Sequence, residues 1–351
     1  TICSRFNTMK LNDIKVIPYK IFFKTPLQTS QRIYKYRSGF IVKLSANGIN
    51  GFGEAAPLTG FSTESEKECL SALISVAKTI KGIDVDAKLL DIIRDLLKEI
   101  PSACFAMETA ILDILSKMNK TVMAFYINKS TCSFVRVNML YHKGFELQSG
   151  VEVVKLKIGS NTLLEDIDFV KNITMSLRPT VKLRLDVNGA WNLNTALEAC
   201  DLLSSYNIDY LEQPLSRDKI HQISELRKNT TIPIAADESL TDIISAQNLI
   251  DAGATDVFVI KPMVSGGFKN TKEIIELAAD HGIRSVITSM MESYIGRMAL
   301  LHLSCAYQIT EACGFMTGSL FDDDQQNIPF QENGRMYIGE IPGLGIEYRE
   351  A

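Results

Sequence analysis

A repeating strand–helix pattern in the second part of the chain constrains the fold most. From about Ser130 onward, short apolar segments alternate with amphipathic ones, and the predicted strands are FVRVNML, VEVVKLKI, TVKLRLDV, IDYLEQP, IPIAADE, DVFVIKP and RSVITSM. Helical periodicity separates them, for example in TLLEDIDFVKNIT and KNTKEIIELAADHG. Such repeats are typical of buried parallel strands joined by helices, so the fold is either an open doubly wound sheet or a barrel.

The charged residues that end these strands help to choose between the two. They are Lys157, Asp186, Glu212, Asp237 and Lys261, and successive members are separated by 29, 26, 25 and 24 positions, about one strand–helix unit each. In a barrel these ends surround one mouth, whereas in an open sheet only neighbouring ends are close. Five successive charged ends favour an α/β barrel of the TIM type.

The first part of the chain has a different pattern. Residues 10–55 contain β-branched or alternating runs (IKVIPYKIFF, GFIVKLSANG) and a turn, NGINGFGE, which together predict a small antiparallel sheet. In ESEKECLSALISVAKTI and FAMETAILDILSKM apolar residues recur at intervals of three and four, which predicts helices. We therefore predict an α+β domain over residues 9–127 and a barrel domain over residues 128–326.

Composition excludes several classes of protein. With 351 residues, 46% hydrophobic and 22% charged, the chain is expected to fold into a globular protein. A net charge of −4 without a long basic run argues against nucleic acid as a partner. The cysteines form no CxxC pair and are expected to be core residues in a reducing compartment. We find no signal-like or membrane-spanning apolar run and expect a cytoplasmic protein with a loose tail at residues 1–8. Oligomeric state is left open.

The acidic strand ends indicate a metal site. Asp186 in LRLDVNGAW, Glu212 in YLEQPL and Asp237 in IAADESL each close an apolar strand. One such acid is often a helix cap, but three converging carboxylates repel one another unless a cation compensates them. Oxygen ligands of this kind suit Mg²⁺, with Mn²⁺ as an alternative. Glu238 could replace Asp237 as a ligand, since only one of two adjacent strand residues points inward.

The lysines indicate proton transfer. Alternation places Lys155 and Lys157 on one face of their strand, and Lys261 ends the strand four units later, roughly across the barrel. A metal flanked by two ammonium groups fits removal of a proton α to a carboxylate, in which a lysine with a pKa lowered by burial and by nearby cations takes the proton. The alternative is that the lysines extend from the strand ends into solvent.

These residues resemble the enolase superfamily, in its muconate-lactonising subgroup. The resemblance rests on KLK at 155–157, LDVN, LEQP, ADES and IKP, and it covers nearly the whole chain. It implies an α+β capping domain over a modified (β/α)7β barrel, with residues 327–351 returning to the cap. It also implies that Asp186, Glu212 and Asp237 bind the metal and that Lys157 and Lys261 face the substrate from opposite sides. Auxiliary roles are implied for Lys155, which would lower the pKa of Lys157, and for Asn188 and Glu238.

Within the subgroup, the segment GEAAPLTGFSTES is similar to the cap loop of o-succinylbenzoate synthases. Dipeptide epimerases usually carry an Asp-x-Asp pair near the last barrel strand, where this chain has GFMTGSLF, although Asp322, Asp323 and Asp324 follow. We expect a lyase that dehydrates a small-molecule carboxylate to o-succinylbenzoate, a step of menaquinone synthesis. The alternatives are a dipeptide epimerase, an N-succinylamino acid racemase and a non-catalytic barrel.

Substrate specificity is assigned to the cap loops near residues 25–32 and 57–63 and to the last barrel segment. The candidate substrate contacts are Phe61, Ser62, Glu292, Met316 and Thr317. Glu292 could instead cap the following helix. Arg32 and Arg37 could face a substrate carboxylate, but we favour solvated hairpin charges.

Overall fold

The computed structural model describes residues 9–28, 33–142, 146–322, 331–346 and 348. The predicted loose tail at residues 1–8 lies outside this range, as do Arg32, Asp323 and Asp324. The cysteines within it are free thiols, and all except Cys132 are buried, as expected for core residues. In this part of the chain no helix has the length and apolarity needed to cross a membrane.

The first described residues form the predicted antiparallel sheet. Its strands are β1 (Leu11–Gln28), β2 (Ile33–Ala46) and β3 (Ile49–Ala55), in the order β1-β2-β3. Asn47 and Gly48 join β2 to β3 with φ of 47° and 82°, which suits the two-residue turn that matches strand twist. The sequence prediction of a hairpin at this place is confirmed.

Four helices follow the sheet along the chain: α1 (Glu66–Ile80), α2 (Ala87–Leu97), α3 (Pro101–Met118) and α4 (Met123–Ile127). Helix α3 packs directly on β3, and Gly51 and Gly53 allow the close approach. A Cβ atom at these glycines would lie 2.1 Å and 1.9 Å from the carbonyl oxygens of Ala110 and Ala106. Gly51 and Gly53 are therefore required by helix–sheet packing.

The remaining elements alternate as predicted. They are β4 (Phe134–Arg136), β5 (Met139–Leu140), β6 (Val153–Lys157), α5 (Leu163–Ser176), β7 (Lys182–Asp186), α6 (Leu193–Leu203), β8 (Ile208–Glu212), α7 (Ile220–Lys228), β9 (Ile234–Ala236), α8 (Ile243–Asp251), β10 (Val257–Ile260), α9 (Pro262–Ser265), α10 (Phe268–Asp280), β11 (Arg284–Ile287), α11 (Tyr294–Ala306), a 3₁₀ turn (Gly318–Leu320), β12 (Gln331–Glu332) and β13 (Arg335–Tyr337). Strands β5 to β11 form one parallel sheet in chain order. This order, with successive strands adjacent, is that of a barrel wall, and the doubly wound alternative is excluded.

The two edges of this sheet approach each other through residues 313–314. Gly314 donates its N–H to the carbonyl oxygen of Ile287 at the end of β11, and Asn138 next to β5 donates its N–H to the carbonyl oxygen of Cys313. The sheet is therefore curled, and its edges are bridged by backbone hydrogen bonds. Since this segment forms only isolated bridges, the predicted (β/α)7β strand count stays a prediction.

One predicted strand is corrected by the structure. The segment FVRVNML divides into β4, which pairs antiparallel with β13, and β5, which alone joins the parallel sheet. A short β-branched run predicts an extended backbone but does not indicate its pairing partner, so the sequence could not reveal the division.

Two buried carboxylates of the N-terminal unit bind the N-termini of helices in the barrel unit. Glu54 in β3 accepts the N–H groups of Ser293 and Gly296, each at 2.8 Å, at the beginning of α11. Glu108 in α3 accepts the N–H of Phe268 at 2.5 Å, where α10 begins. Helix N-termini carry partial positive charge and unpaired N–H groups, so each acid stabilises the helix that it meets.

The segment near the C-terminus contacts the N-terminal unit. Leu344 donates its N–H to Asp113 of α3 at 2.8 Å, and Gly343 donates to the carbonyl oxygen of Thr121 at 2.9 Å. The expected boundary at residue 327 falls outside the described residues.

His302 in α11 joins three parts of the chain. Its Nδ1 accepts the N–H of Ala124 at 3.3 Å, and its Nε2 lies 3.2 Å from the carbonyl oxygen of Leu344. The accepting Nδ1 requires the neutral ring that carries its proton on Nε2. Burial lowers the pKa of His302 to about 4, because the charged ring would lose its hydration and a proton on Nδ1 would face the Ala124 N–H.

We predict that His302 makes the protein less stable at mildly acidic pH. At pH values between about 4, the pKa of His302 in the folded protein, and its ordinary value of 6.5, the ring is protonated in the unfolded chain but neutral in the folded chain. The stabilisation is therefore complete above pH 6.5 and is lost as pH falls, by up to about 3 kcal/mol. Urea unfolding from pH 7 to 4 should show a smaller loss for His302→Gln than for the wild type. The exposed His281→Gln should keep the wild-type dependence, and equal slopes for all three proteins would contradict the prediction.

Candidate active site

Adjacent parallel strands bring the predicted charged residues to one edge of the sheet. The register pairs Lys157 of β6 with Asp186 of β7, and Asp186 with Glu212 of β8. Asp237 follows β9, and Lys261 follows β10. These charged residues therefore converge at one edge of the sheet, as the spacing of the strand ends predicted.

Lys155 lies between two buried acids. Its Nζ is 2.9 Å from Oδ2 of Asp186 and 2.7 Å from Oε1 of Glu212, whose side chains are 2% and 0% exposed. Burial alone would lower the pKa of Lys155, but these two carboxylates raise it well above its ordinary value. Lys155 is therefore a fixed cation that neutralises the acids, and the auxiliary role expected for it stays a prediction.

Lys261 is the lysine with a lowered pKa. Its Nζ contacts Oδ1 of Asp237 and lies 5.2 Å from the ring centre of Phe61. Burial lowers the pKa of Lys261 to about 7, with a further lowering by Lys155 and Lys157 and an opposing effect of Glu212. We also expected Lys157 to be buried, and the structure corrects that expectation. Lys157 ends its strand in an exposed position, where its Nζ donates to Oδ1 of Asn188 at 3.3 Å.

Asn188 and Glu238 form a hydrogen-bonded pair at the edge of this cluster. Asn188 Nδ2 donates to Glu238 Oε1 at 3.0 Å. Burial and the neighbouring Asp186 raise the pKa of Glu238 to about 7. Asp237 is 5% exposed and faces Lys261, so alternation directs Asp237 inward and Glu238 towards Asn188, as expected.

The acids fit a divalent cation in the type of their donor atoms. Within the described residues, no three acid, histidine or cysteine side chains are already arranged around one metal position, and the ammonium groups of Lys155 and Lys261 lie against carboxylate oxygens. Oε2 of Glu212 and Oε2 of Glu238 are buried without a hydrogen-bond partner. Such oxygens are costly unless a cation or donor satisfies them, and small divalent cations prefer carboxylate ligands. Rotation of the two lysines would free three carboxylates for such an ion.

A cavity lies between this cluster and the N-terminal unit. Lys155, Lys157, Asp186, Asp237 and Lys261 line its floor. Its walls are mostly apolar, with Leu58, Phe61, Leu140, Met290, Met291, Met316 and Leu320, and its uncharged polar lining residues are Asn138, Asn188, Thr288, Ser289 and Thr317. An apolar chamber with a few convergent charges is typical of a small-molecule site.

Three of the predicted substrate contacts, Phe61, Met316 and Thr317, line the cavity. Ser62 does not, because its Oγ accepts the N–H of Leu58 at 2.9 Å and fixes the turn of the loop. Glu292 is fully buried behind the wall, where it accepts the N–H of Met290 at 2.8 Å. Its alternative role as a helix cap is also corrected, since Ser293 caps α11.

Arg37 is neither a substrate contact nor a solvated charge. It is 2% exposed, and its guanidinium donates to the carbonyl oxygens of Ala56, Pro57 and Met290. The residue therefore ties the cap loop to the barrel segment that follows β11. Its position in the long strand β2 was predictable, but its backbone partners come from distant segments that the sequence does not connect.

Sequence reasoning also missed Asn138 and Thr288. Asn138 lies within FVRVNML, between β4 and β5, and Thr288 lies within RSVITSM, directly after β11; both line the cavity. Both are uncharged and lie inside the predicted strands, so a pattern of charged strand ends does not indicate them.

Comparison with known proteins places the chain in a family. Residues 144–351 match the family described as "Enolase C-terminal domain-like", and residues 11–114 match "MenC, N-terminal domain". The chain therefore belongs to the enolase superfamily.

Its relatives have different activities. The chain is 27% identical to a D-Ala-D/L-Ala epimerase of Cytophaga hutchinsonii, over 97% of each protein. It is also 27% identical to an o-succinylbenzoate synthase of Desulfotalea psychrophila, over 87% of this chain and 93% of the relative. A dipeptide epimerase from Enterococcus faecalis, solved with Mg and the dipeptide L-Leu-L-Tyr, superposes with a TM-score of 0.87 at 23% identity, over 97% of this chain and all of that one. Both lyases and isomerases are thus among the proteins that this chain resembles.

We predict that Lys155 stabilises the fold in the absence of metal. Lys155→Met leaves Asp186 and Glu212 as two buried acids without their cation, and loss of one partner from a buried pair costs about 3–5 kcal/mol. Urea unfolding in chelator-containing buffer at pH 7 measures this loss. Lys157→Met is the matched control from the same strand, and its exposed position should make its effect smaller than about 1 kcal/mol. Equal effects of the two substitutions would contradict the interpretation.

Proposed function

We propose that this protein is a Mg²⁺-dependent o-succinylbenzoate synthase. It would dehydrate a succinyl-substituted hydroxycyclohexadiene carboxylate, a small-molecule substrate of menaquinone synthesis, in the cytoplasm. The proposal includes a capping domain over residues 9–127, a modified (β/α)7β barrel over residues 128–326 and a returning segment over residues 327–351.

One observation carries the choice of substrate. The only acids among the described residues that line the cavity are Asp186 and Asp237, which belong to the proposed metal site. The free ammonium group of a dipeptide would enter an apolar chamber without an anion, which is unfavourable. A cyclohexadienyl ring, in contrast, suits walls formed by Leu58, Phe61 and Met316. The match of residues 11–114 to "MenC, N-terminal domain" supports the same choice.

The residues would share the reaction as follows. Asp186, Glu212 and Asp237 would hold Mg²⁺, which when bound supplies positive charge that makes the α-hydrogen of the substrate carboxylate more acidic. Lys157 Nζ would take the α-proton from the ring carbon, and the electron pair of that C–H bond would form the new C=C bond. The C–O bond to the ring hydroxyl would break at the same time or afterwards, so that proton and hydroxide together make water. Lys261 would lie opposite and, in its protonated form, would stabilise the negative charge.

A dipeptide epimerase or an N-succinylamino acid racemase is the second candidate. The presence of both Lys157 and Lys261 on the cavity floor favours it, since inversion needs one base and one acid on opposite faces. Elimination does not require Lys261 to exchange a proton. The two functions therefore differ in what Lys261 must do.

We predict that Mg²⁺ stabilises the folded protein through the three acids. Millimolar Mg²⁺ should raise the melting temperature of the wild type, because a ligand that binds only the folded state stabilises it by mass action. Asp186→Asn should abolish this increase. Asp218→Asn, at an exposed position, should retain it. An unchanged response of Asp186→Asn in a thermal melt would contradict the assignment of these ligands.

The proposed function is tested by two assays on the Mg²⁺-loaded protein. Aromatisation of the hydroxycyclohexadiene substrate is followed by ultraviolet absorption, and inversion of L,L-dipeptides and N-succinylamino acids by chiral chromatography. We expect dehydration to exceed either inversion by at least about 100-fold in kcat/KM. We also expect Lys157→Ala to lower dehydration by about 10²–10⁴-fold, the range for loss of a general base.

Thr310→Ala serves as a control outside the cavity and should retain wild-type turnover. Rapid inversion of a dipeptide or an N-acyl amino acid without dehydration would refute the synthase and support the second candidate. Dehydration that is unaffected by Lys157→Ala would refute the proposed mechanism.

A further inference from the structure

Cys132 and Cys305 form a pair of thiols outside the cavity. Cys132 lies in the segment between α4 and β4, and Cys305 lies in the last turn of α11. Cys132 donates its backbone N–H to the carbonyl oxygen of Cys305 at 3.3 Å, and its Sγ lies 3.5 Å from the same oxygen. Disulfides join cysteines whose Cα atoms are about 4.4–6.8 Å apart, a separation that a direct backbone hydrogen bond between the two residues allows.

The two sulfur atoms also face each other. The Cys305 thiol is within hydrogen-bonding reach of the Cys132 sulfur, and the backbone N–H of Phe134 is directed to the same sulfur. The hydrogen bond from Cys305 lowers the pKa of the Cys132 thiol to about 6, against an opposing effect of burial. The same contact raises the pKa of Cys305, with burial as the second cause. At neutral pH Cys132 is therefore a thiolate, and Cys305 is a thiol that stabilises it.

Exposure gives the two cysteines different roles. Among the cysteines of the described residues, only Cys132 is partly exposed, whereas Cys305 is fully buried. A small oxidant can therefore reach Cys132 but not Cys305. Oxidation of a cysteine requires thiolate character and access, and Cys132 has both. The buried thiol beside it is placed to react with the oxidised sulfur.

We propose that Cys132 and Cys305 are a peroxide-reactive site that closes to an intramolecular disulfide. The Cys132 thiolate attacks one oxygen of hydrogen peroxide, the O–O bond breaks, and Cys132 becomes a sulfenic acid while the other oxygen leaves as hydroxide. The Cys305 thiol then attacks the Cys132 sulfur, its proton and the sulfenic hydroxyl leave as water, and the S–S bond forms. Two thiols are thus oxidised and one peroxide is reduced.

The inference is independent of the proposed function, because neither cysteine lines the cavity. In a reducing compartment the pair is expected to stay in the dithiol form until a peroxide reaches it. The disulfide would then join the connection between the two units to the end of α11. These segments are already in contact, since Asn128 Nδ2 donates to the carbonyl oxygen of Ala306 at 2.8 Å.

The first test measures the reactivity of each thiol in the wild type. Alkylation with iodoacetamide at several pH values is followed by peptide mass spectrometry. We expect Cys132 to react with a midpoint near pH 6 and, at pH 7, at least about 10-fold faster than Cys69, Cys200 or Cys313. A midpoint of Cys132 near its ordinary value of 9, or a rate no higher than that of the buried cysteines, would overturn the proposal.

The second test treats the wild type with one equivalent of hydrogen peroxide at pH 7. We expect the intact mass to fall by about 2 Da, for the loss of two hydrogen atoms, and a peptide map to contain one disulfide between Cys132 and Cys305. Dithiothreitol should restore both thiols. Cys132→Ser should form no disulfide. Cys313→Ala, which removes a buried cysteine near Cys305, should form it as the wild type does.

Cys305→Ala separates the two steps of the reaction. It removes the second thiol, so peroxide should leave a sulfenic acid at Cys132 that dimedone traps, at a lower rate because the thiolate has lost its donor. A wild type that retains both thiols, or in which Cys132 is oxidised without a bond to Cys305, would overturn the proposal. The wild-type peptide map decides this without any substitution, so a variant that fails to fold does not affect the result.

Discussion

The compensation of three carboxylates by two lysines at one edge of the parallel sheet is the interaction on which the site depends. Asp186, Glu212 and Asp237 are all at most 5% exposed, and each contacts Lys155 or Lys261. The acids could not stay ionised at this depth without cations, and the lysines could not stay charged without the acids. The same mutual dependence prepares both parts for chemistry, since a metal that takes the acids would release the ammonium groups towards the cavity.

A second set of polar contacts attaches the N-terminal unit to the barrel unit. Glu54 and Glu108 of the N-terminal unit accept backbone N–H groups where α11 and α10 begin, and Arg37 binds carbonyl oxygens of the cap loop and of Met290. Arg37 thereby links the loop that carries Leu58 and Phe61 to the barrel segment after β11. The N-terminal unit is thus attached by hydrogen bonds with defined directions, which apolar packing alone would not provide.

Much of the fold and of the cluster was predictable from sequence, and the reasons are physical. Apolar periodicity identified the parallel strands, and the regular spacing of charged strand ends brought Asp186, Glu212 and Asp237 together because parallel strands end at one edge. Local patterns did not reveal which lysine would be buried. Lys157 and Lys261 both end apolar strands, but Lys261 lies beneath Phe61 of the cap loop and Lys157 does not. That difference arises from the docking of two distant segments, and the same holds for the backbone partners of Arg37.

The central claim is that this cluster removes a proton next to a carboxylate. Exchange of the α-hydrogen tests this claim most directly. A substrate analogue that retains the ring carboxylate and the α-hydrogen but lacks the hydroxyl cannot eliminate water, so its proton NMR spectrum in ²H₂O reports proton removal alone. The account predicts that the wild type with Mg²⁺ erases the α-proton signal and that Lys157→Ala leaves it intact for at least about 100 times longer. A signal that persists with the wild type, or that disappears equally fast with Lys157→Ala, would contradict it.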